Sequence, residues 1–220
     1  CGVGCRGAKE EVLELSEKLD APIVHTLRAK DIFDYEDPRV VGLTGLIGNP
    51  AGYHAVWDCD VLLMVGTNFP YDGFLPSNAT IIQIDSKVEN IGRRAPVELG
   101  LVGTARETLQ KLNPQIQSGS STKFLRELEK MRDKWLKSME KQADPKRVDE
   151  PLDPQIFARA VSDRADEDAI FAVDVGECTV WIARQVSMRN ERRMLGSFNH
   201  GSLGAALPVA LGSSSLDPKR

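Results

Sequence analysis

The sequence lacks the features that mark a metal-binding, disulfide-rich or membrane-spanning chain. Its 220 residues include four cysteines, and no two of them form a C-x-x-C motif: Cys1, Cys5, Cys59 and Cys178. A zinc or thioredoxin-type motif is therefore not expected, nor is the dense disulfide framework of a small secreted domain. No apolar run approaches the roughly 20 residues of a membrane span. We expect free thiols in a reducing, cytoplasmic setting.

A surplus of positive charge is also missing. The 28 lysines and arginines are outnumbered by 32 aspartates and glutamates, which gives a net charge of −4. Proteins that bind nucleic acid neutralise its phosphates with clustered basic residues, so we expect no nucleic-acid partner. The three histidines are scattered without metal-ligand spacing: His25, His54 and His200. We therefore predict no metal site within these residues.

Apolar runs alternate with amphipathic segments along the first half of the chain. The pattern predicts helices over 8–19, 50–58 and 104–112, and strands over 22–25, 40–43, 61–66, 80–85 and 99–103. Uninterrupted apolar runs are typical of parallel strands that are covered on both faces. The alternation predicts an open parallel α/β sheet. In such sheets ligands bind at the carboxyl ends of the strands.

A polar stretch and a charged helix separate this region from a second α/β region. Residues 113–122 are polar and turn-forming, and residues 123–142 have the pattern of a highly charged helix. Beyond them the pattern predicts helices over 154–165, 177–186 and 203–212, and strands over 169–173 and 193–197. We therefore predict three parts: a central α/β domain over 1–117, a charged helical linker over 118–153, and the beginning of a second α/β domain over 154–220.

The glycines at positions 2, 4 and 7 match the pattern G-x-G-x-x-G at the start of a helix. Such a loop lets the backbone approach a pyrophosphate next to a helix N-terminus. A plain NAD site also needs an acidic residue at the end of the second strand, which binds the ribose. Here that strand is followed by Arg28 instead. Arg28 suits a phosphate or a flavin dinucleotide better, and a turn that serves only the fold remains the alternative.

Four stretches of the first region resemble a known protein family: 21–28, 42–48, 66–71 and 81–85, which read APIVHTLR, GLTGLIG, GTNFPY and IIQID. Residues 1–103 resemble the central domain of the thiamine-diphosphate-dependent pyruvate oxidases, and most closely their bacterial quinone-dependent pyruvate dehydrogenases. Three later stretches resemble the start of the diphosphate-binding domain of the same family: 171–176, 179–181 and 195–202.

The resemblance implies that the central domain is Rossmann-like and binds FAD. By position, it implies FAD contacts at Arg28, Thr44, Gly45, Leu46, Ile47, Thr67, Asn68, Phe69, Pro70, Tyr71 and Asp85. It implies thiamine diphosphate contacts at Gly201, Ser202 and Leu203. The glutamate that activates thiamine diphosphate is expected in a domain before Cys1, and the Mg²⁺ site beyond Arg220. No catalytic residue is therefore expected within the chain.

The family reaction is the oxidative decarboxylation of pyruvate to acetate and CO2 by way of hydroxyethyl-thiamine diphosphate. Electrons pass through FAD to a quinone or to oxygen. The resemblance also implies a homotetramer, with peripheral contact to the inner face of the membrane only through a C-terminal tail. It places the first strand of the central domain before Cys1 and leads us to expect that the isolated chain is inactive.

Two alternatives stay open. The first is a related carboligase, such as acetolactate synthase, in which FAD is present without net oxidation or reduction. The second is a dinucleotide-binding or assembly module without activity of its own. The Phe-Pro-Tyr turn at 69–71 and the segment 197–202 favour the pyruvate oxidases over the carboligases.

Overall fold

The computed structural model describes residues 1–119, 123–147 and 151–218. Its helices are α1 (Lys9–Leu19), α2 (Pro50–Trp57), α3 (Ala105–Leu112), α4 (Lys123–Gln142), α5 (Pro154–Arg164), α6 (Glu177–Gln185) and α7 (Ala206–Leu216). Its strands are β1 (Ile23–His25), β2 (Val40–Leu43), β3 (Val61–Val65), β4 (Thr80–Asp85), β5 (Leu99–Val102), β6 (Ile170–Ala172) and β7 (Arg193–Leu195). The chain forms two compact units, one of Cys1–Phe33 with Asp37–Asp133 and one of Asp34–Glu36 with Lys134–Arg220.

The paired strands of the first unit are parallel, but they form two separate pieces of sheet. β1 pairs with β2, while β3, β4 and β5 pair in that order. The predicted parallel α/β class is therefore confirmed. The prediction of one open sheet is not met within the described residues, because an apolar slot separates β1 from β3.

Helices cover both faces of the first unit. α1 and α3 lie on one face, where side chains such as Leu15 and Leu109 join a buried cluster with Ile84 of β4. On the other face, α2 and the first half of α4 bury residues such as Ala55 and Leu128. Burying a leucine side chain contributes roughly 1.5–3 kcal/mol. Burial from both sides explains the uninterrupted apolar sequences of β2 and β4, whereas β5, at the edge of its sheet, is largely exposed.

Polar residues fix the starts of three helices. α2, α3 and α5 begin directly after Asn49, Thr104 and Asp153, whose side-chain oxygens accept a hydrogen bond from a main-chain N–H in the first turn. Each such bond satisfies a donor that the helix itself leaves unpaired and contributes about 1 kcal/mol.

The second unit contains the parallel pair β6–β7 together with α5, α6 and α7. Arg192 is 1% exposed and donates hydrogen bonds to the carbonyls of Ser162, Asp166 and Ser187 at 2.9–3.0 Å. It also donates to the carbonyl of Ala165. The carbonyls of Ser162, Ala165 and Asp166 lie at and just after the end of α5, where the helix leaves acceptors unpaired, and that of Ser187 follows α6. One buried guanidinium therefore ties the end of α5 to the segment after α6.

Most predicted elements lie within two residues of the observed ones, and α7 is the exception. It was predicted over 203–212 but spans Ala206–Leu216, because Gly201 and Gly204 have φ values of +64° and +79° and form a turn. Residues 120–122 of the predicted linker and 148–150 of the predicted boundary lie outside the described residues. The domain limits at 117 and 153 stay predictions. Among the described helices, none is both long and apolar enough to cross a membrane.

Candidate functional site

Two of the predicted FAD loops touch at the carboxyl ends of β2 and β3. Gly45 has a φ of +100°, and a β-carbon at this position would lie 3.3 Å from the ring of Phe69 and 3.5 Å from that of Tyr71. The two rings meet edge to face, with 5.5 Å between their centroids. Gly45 and the rings of Phe69 and Tyr71 therefore border the same surface.

Asn49 holds the glycine loop between β2 and α2 in shape. Its side-chain Nδ2 donates to the Val41 carbonyl at 3.1 Å, and its Oδ1 accepts from the N–H of Gly52 at 2.6 Å. A β-carbon at Gly42, whose φ is +127°, would lie 2.1 Å from Asn49 Nδ2. The position of the Asn49 side chain therefore requires a glycine at position 42. Together the two residues fix the start of the loop that contains Thr44.

Thr44 has a buried hydroxyl oxygen without a hydrogen-bond partner among the described residues. Its main-chain N–H donates to the His25 carbonyl at 3.4 Å, which ties the loop to β1. A buried, unpaired hydroxyl costs roughly 1–3 kcal/mol. Because Thr44 lines the same cavity as Thr26 and Thr67, a polar atom of a ligand at this edge would satisfy it.

Asp85 ends β4 and is 6% exposed. Its Oδ1 accepts hydrogen bonds from the N–H of Lys87 at 2.9 Å and from Asn90 Nδ2 at 3.1 Å. Its main-chain carbonyl accepts from the N–H of Gly103 at 3.0 Å. Oδ2 takes part in none of these bonds, so the carboxylate is oriented by one oxygen while the other can accept from ligand hydroxyls.

Gln83 ties together two loops at this edge, and the sequence reasoning did not single it out. Its Nε2 donates to the carbonyls of Thr67 and Asn90 at 3.3 and 3.1 Å, and its Oε1 accepts from the N–H of Gly92 at 3.0 Å. The sequence feature that could have indicated this role is a polar residue within the apolar run of β4. A buried amide needs hydrogen-bond partners, and here those partners position the loops after β3 and β4.

The remaining predicted FAD residues are half-buried or exposed: Arg28, Leu46, Ile47, Thr67, Asn68 and Pro70. Asn68 Oδ1 accepts a hydrogen bond from Arg94 Nε at 3.2 Å. Arg94 was also missed by the sequence reasoning, because it lies outside the predicted loops. The individual FAD contacts stay predictions.

Two basic side chains are buried close to this edge. His25 is 1% exposed, and its Nδ1 lies 3.1 Å from the Thr26 carbonyl, which can only accept. Burial and, to a smaller extent, the positive charge of Lys30 lower the pKa of His25 to about 3. Burial also lowers the pKa of Lys30 to about 7, an effect that Asp31 opposes. His25 is therefore uncharged at neutral pH.

The glycine-rich loop at the start of the chain packs directly on the end of β3. β-Carbons at Gly2 and Gly4 would lie 2.4 and 2.7 Å from main-chain atoms of Gly66, whose φ is +57°. The N–H of Gly4 donates to the Gly66 carbonyl at 2.9 Å. Contact between the two backbones accounts for these glycines, which favours the alternative that the turn serves the fold.

The predicted thiamine diphosphate residues lie on a turn of the second unit. Gly201, Ser202 and Leu203 are all exposed. Asp174 follows β6, and its Oδ1 and Oδ2 accept from the N–H of Gly204 at 2.9 and 2.7 Å. These bonds hold the turn at the carboxyl end of β6, which is the edge where ligands of α/β sheets bind.

The thiols and carboxylates of the described residues do not form a metal centre. No group of three or more histidine, cysteine, aspartate or glutamate side chains there is arranged to hold a metal ion. The four cysteines are free, with Cys5 buried and Cys178 exposed. Cys5 Sγ donates to the Val65 carbonyl at 3.2 Å, and burial raises the pKa of this thiol.

Both units match the domains of one enzyme family. Residues 1–112 match the model of the thiamine pyrophosphate enzyme central domain, and residues 174–220 match the model of the C-terminal thiamine pyrophosphate-binding domain. The chain belongs to the thiamine pyrophosphate enzyme family. This membership confirms the broader part of the predicted resemblance, since thiamine diphosphate and thiamine pyrophosphate are the same compound.

Relatives with different names share this part of the thiamine pyrophosphate enzymes. The chain is 36% identical over 219 residues to a Bacillus subtilis protein whose name describes it as thiamine pyrophosphate-containing. It is 30% identical over 229 residues to the acetolactate synthase large subunit of Corynebacterium glutamicum, and 26% identical over 226 residues to the pyruvate oxidase of Lactiplantibacillus plantarum. Each match covers 100% of the chain, which spans only 36–38% of these relatives' length.

Proposed function

We propose that the first unit binds FAD at the carboxyl ends of β2, β3 and β4. The observation that carries this proposal is the buried, unpartnered hydroxyl of Thr44, on a loop that meets the aromatic residues after β3. Asp85 lies at the same edge of the fold, and the two hydrogen bonds that orient its carboxylate are both accepted by Oδ1, not by Oδ2. A dinucleotide supplies the matching groups, because ribose hydroxyls donate to carboxylates and phosphate oxygens accept from hydroxyls.

The rings of Phe69 and Tyr71 suit a planar ligand. Phe69 is buried and Tyr71 is 41% exposed, so the pair forms an apolar wall with one open side. Gly45 leaves the space in front of these rings free of a side chain. FAD, when bound, supplies a group that accepts electrons, and the residues of this chain bind and orient it.

Flavin titration tests this assignment on the chain itself. We expect FAD to bind and its absorbance and fluorescence to change, and we expect Thr44→Val and Asp85→Asn each to weaken binding about tenfold, as loss of one ligand hydrogen bond does. Thr80→Val and Asp60→Asn are the matched controls, since both residues lie at the amino ends of strands. Equal affinity in all five proteins, or no binding by the unmodified chain, would contradict the assignment.

For the longer protein we propose oxidative decarboxylation of pyruvate to acetate and CO2, with thiamine diphosphate and Mg²⁺ as further cofactors. A quinone or oxygen would accept the electrons from FAD, and the protein would be a homotetramer. The resemblance of 66–71 and 195–202 to the pyruvate oxidases supports this choice. In the second unit, Gly201, Ser202 and Leu203 would contact thiamine diphosphate on the turn that Asp174 holds.

An acetolactate-synthase-like carboligase is the second candidate, because the identity to an acetolactate synthase is 30% against 26% to a pyruvate oxidase. The two are separated by adding pyruvate and thiamine diphosphate to the full-length protein without oxygen. Bleaching of the flavin is expected for the oxidase. Acetolactate formation with a flavin that stays oxidised would favour the carboligase. If the protein binds FAD but shows neither reaction, the remaining interpretation is a dinucleotide-binding module without activity.

A further inference from the structure

Aromatic side chains of the first unit form a continuous row from the candidate FAD edge to the exposed end of α2. The distances between successive ring centroids are 5.5, 6.3, 6.2 and 5.7 Å. Aromatic rings in contact have centroids roughly 4.5–7 Å apart. This aromatic row consists, in spatial order, of Phe69, Tyr71, Phe74, Tyr53 and Trp57.

Two parts of the chain build the aromatic row. Tyr53 and Trp57 lie one helical turn apart on the same face of α2, and their rings are stacked with an interplanar angle of 13°. Phe74 ends the short 3-10 turn that follows β3, and its ring meets that of Tyr53 edge to face at 87°. The row therefore crosses from the loop after β3 to α2 through a direct ring contact.

The two ends of the row have different surroundings. At the inner end, Phe69 is 5% exposed, and the rings of Phe69 and Tyr71 border Gly45 at the candidate FAD edge. At the outer end, Trp57 is 42% exposed to solvent. The row thus connects the edge at which we place FAD with the surface of α2.

The row contains the readily oxidised rings of the first unit. The sequence has three tyrosines and three tryptophans, and those that fall within the first unit are Tyr53, Tyr71 and Trp57. Phenol and indole rings can each lose one electron together with a proton, which the ring of phenylalanine does not do under the same conditions. Electron transfer slows steeply with distance, so rings in contact, or separated by one further ring, exchange electrons much faster than distant ones.

The chemistry of these rings also sets the direction of transfer. Only a strong oxidant removes an electron from tyrosine or tryptophan, so the row cannot carry the weakly held electrons of reduced FAD to a quinone. It can supply electrons to a strong oxidant at the FAD edge. The electron vacancy then moves outward along the row.

We propose that the aromatic row carries oxidising equivalents from the FAD edge to the surface, one electron at a time. The inner end of this path rests on the proposed FAD site, because the oxidant is oxidised FAD that has absorbed light. Tyr71 gives one electron to the excited flavin and its phenolic proton to water. Tyr53 then returns an electron to Tyr71, and Trp57 returns one to Tyr53, while each phenol regains a proton from water.

Trp57 is left without one electron and loses its indole proton to water. A soluble thiol at the surface then gives it a hydrogen atom, so that the net products are one electron on the flavin, one proton in water and one thiyl radical. The path would spare Met64, which lies in the same buried cluster as Phe69. Methionine is oxidised to a polar sulfoxide that disrupts apolar cores.

The first experiment measures transfer along the row without FAD. Tyr35→Phe, Trp135→Phe and Trp181→Phe are combined, so that every tyrosine and tryptophan left in the chain belongs to the row. Azidyl radicals made by pulse radiolysis then remove an electron from Trp57. We expect the absorbance of the tryptophan radical to decay as that of a tyrosine radical grows, at a first-order rate that does not depend on protein concentration.

Two variants of this chain identify the path. Tyr53→Phe keeps the ring contacts but leaves two rings that are not oxidised between Trp57 and Tyr71, so we expect the first-order phase to be lost. Tyr71→Phe is the matched control, because Tyr53 stays stacked on Trp57, and the phase should remain. An unchanged phase in the Tyr53 variant, or no first-order phase in the parent chain, overturns the proposal.

The second experiment excites FAD bound to the chain with a light flash. With Trp135→Phe and Trp181→Phe in place, we expect a tryptophan radical from Trp57. Tyr53→Phe should abolish this signal without changing the affinity for FAD, and Tyr35→Phe, in the second unit, should leave it intact. A signal that survives Tyr53→Phe overturns the proposal. A chain that binds no FAD overturns the FAD site and the inner end of the path, while the first experiment still decides transfer between Trp57 and the tyrosines.

Discussion

At the scale of single residues, His25 links the stability of the first unit to pH. Its pKa is about 3 in the folded chain, against a usual value of 6.5. The unfolded chain therefore binds the extra proton first as the pH falls. The stability that neutral His25 provides is fully present above pH 6.5 and is lost progressively between pH 6.5 and 3.

We expect the free energy of unfolding to rise by roughly 1 kcal/mol for each pH unit between 4 and 6 because of His25 alone. His25→Leu replaces the imidazole with an apolar side chain of similar size and so removes the group that binds the proton. Its stability curve, measured by urea unfolding at several pH values, should be flatter over this window. Curves that stay parallel to those of the unmodified chain would show that His25 does not carry the dependence.

Residue types predicted part of the candidate site and missed another part. Thr44, Gly45 and Asp85 were found because glycine loops and acids at strand ends have recognisable patterns, and the structure places them at strand ends as expected. Gln83 was missed because its role depends on the loops that fold back over it. Arg94 was missed because it lies outside the predicted loops and its partner Asn68 is 26 residues away in the chain.

At the scale of elements, the start of α2 combines a helix cap with a link to β2. We expect Asn49→Ala to lower the free energy of unfolding by roughly 2–3 kcal/mol, because it removes the cap and also leaves the Val41 carbonyl without its bond to Nδ2. The matched control is Asp153→Ala, which removes a cap and an exposed ion pair with Arg147 but no bond to a strand carbonyl, and which should cost about 1 kcal/mol. Urea unfolding measures both, and equal losses would argue against the second role of Asn49.

Element type was readable from the sequence because apolar runs and helical periodicity are local. The limits of α7 were not, since the turn before it depends on two glycines with positive φ and on a carboxylate 30 residues away. The division of the sheet into two pieces was not readable either. The apolar sequence of each strand predicts that its side chains are buried. It does not predict which neighbouring strand pairs with each of its two edges.

At the scale of the whole molecule, the first unit extends into α4, past the predicted limit at 117. Leu125 and Leu128 of α4 are buried in a cluster with residues of β2 and α2. We expect a fragment ending at Asp133 to be more stable than one ending at Gly119 by roughly 3–6 kcal/mol, the burial of two leucines. Thermal unfolding of the two fragments measures this. The double variant Leu125→Ser and Leu128→Ser in the longer fragment should remove the difference.

The order of domains could be predicted because composition changes sharply along the chain, from apolar strands to a highly charged helix and back. The division of the charged helix between the two compact units could not be predicted. Its first half belongs to one compact unit and its second half to the other, within a single run of helix. A helix that is amphipathic along its whole length gives no local sign of a change in packing partner.

The cysteines differ in burial, so their rates of alkylation can report local opening of the folded chain. Only the thiolate reacts with alkylating reagents, and burial raises the pKa of Cys5 and brings that of Cys59 to about 11. Cys178, exposed in the second unit, would be alkylated in the folded state. Cys5 would be alkylated only when the first unit opens. Mass spectrometry of timed alkylation would therefore report the opening of that unit without any added label.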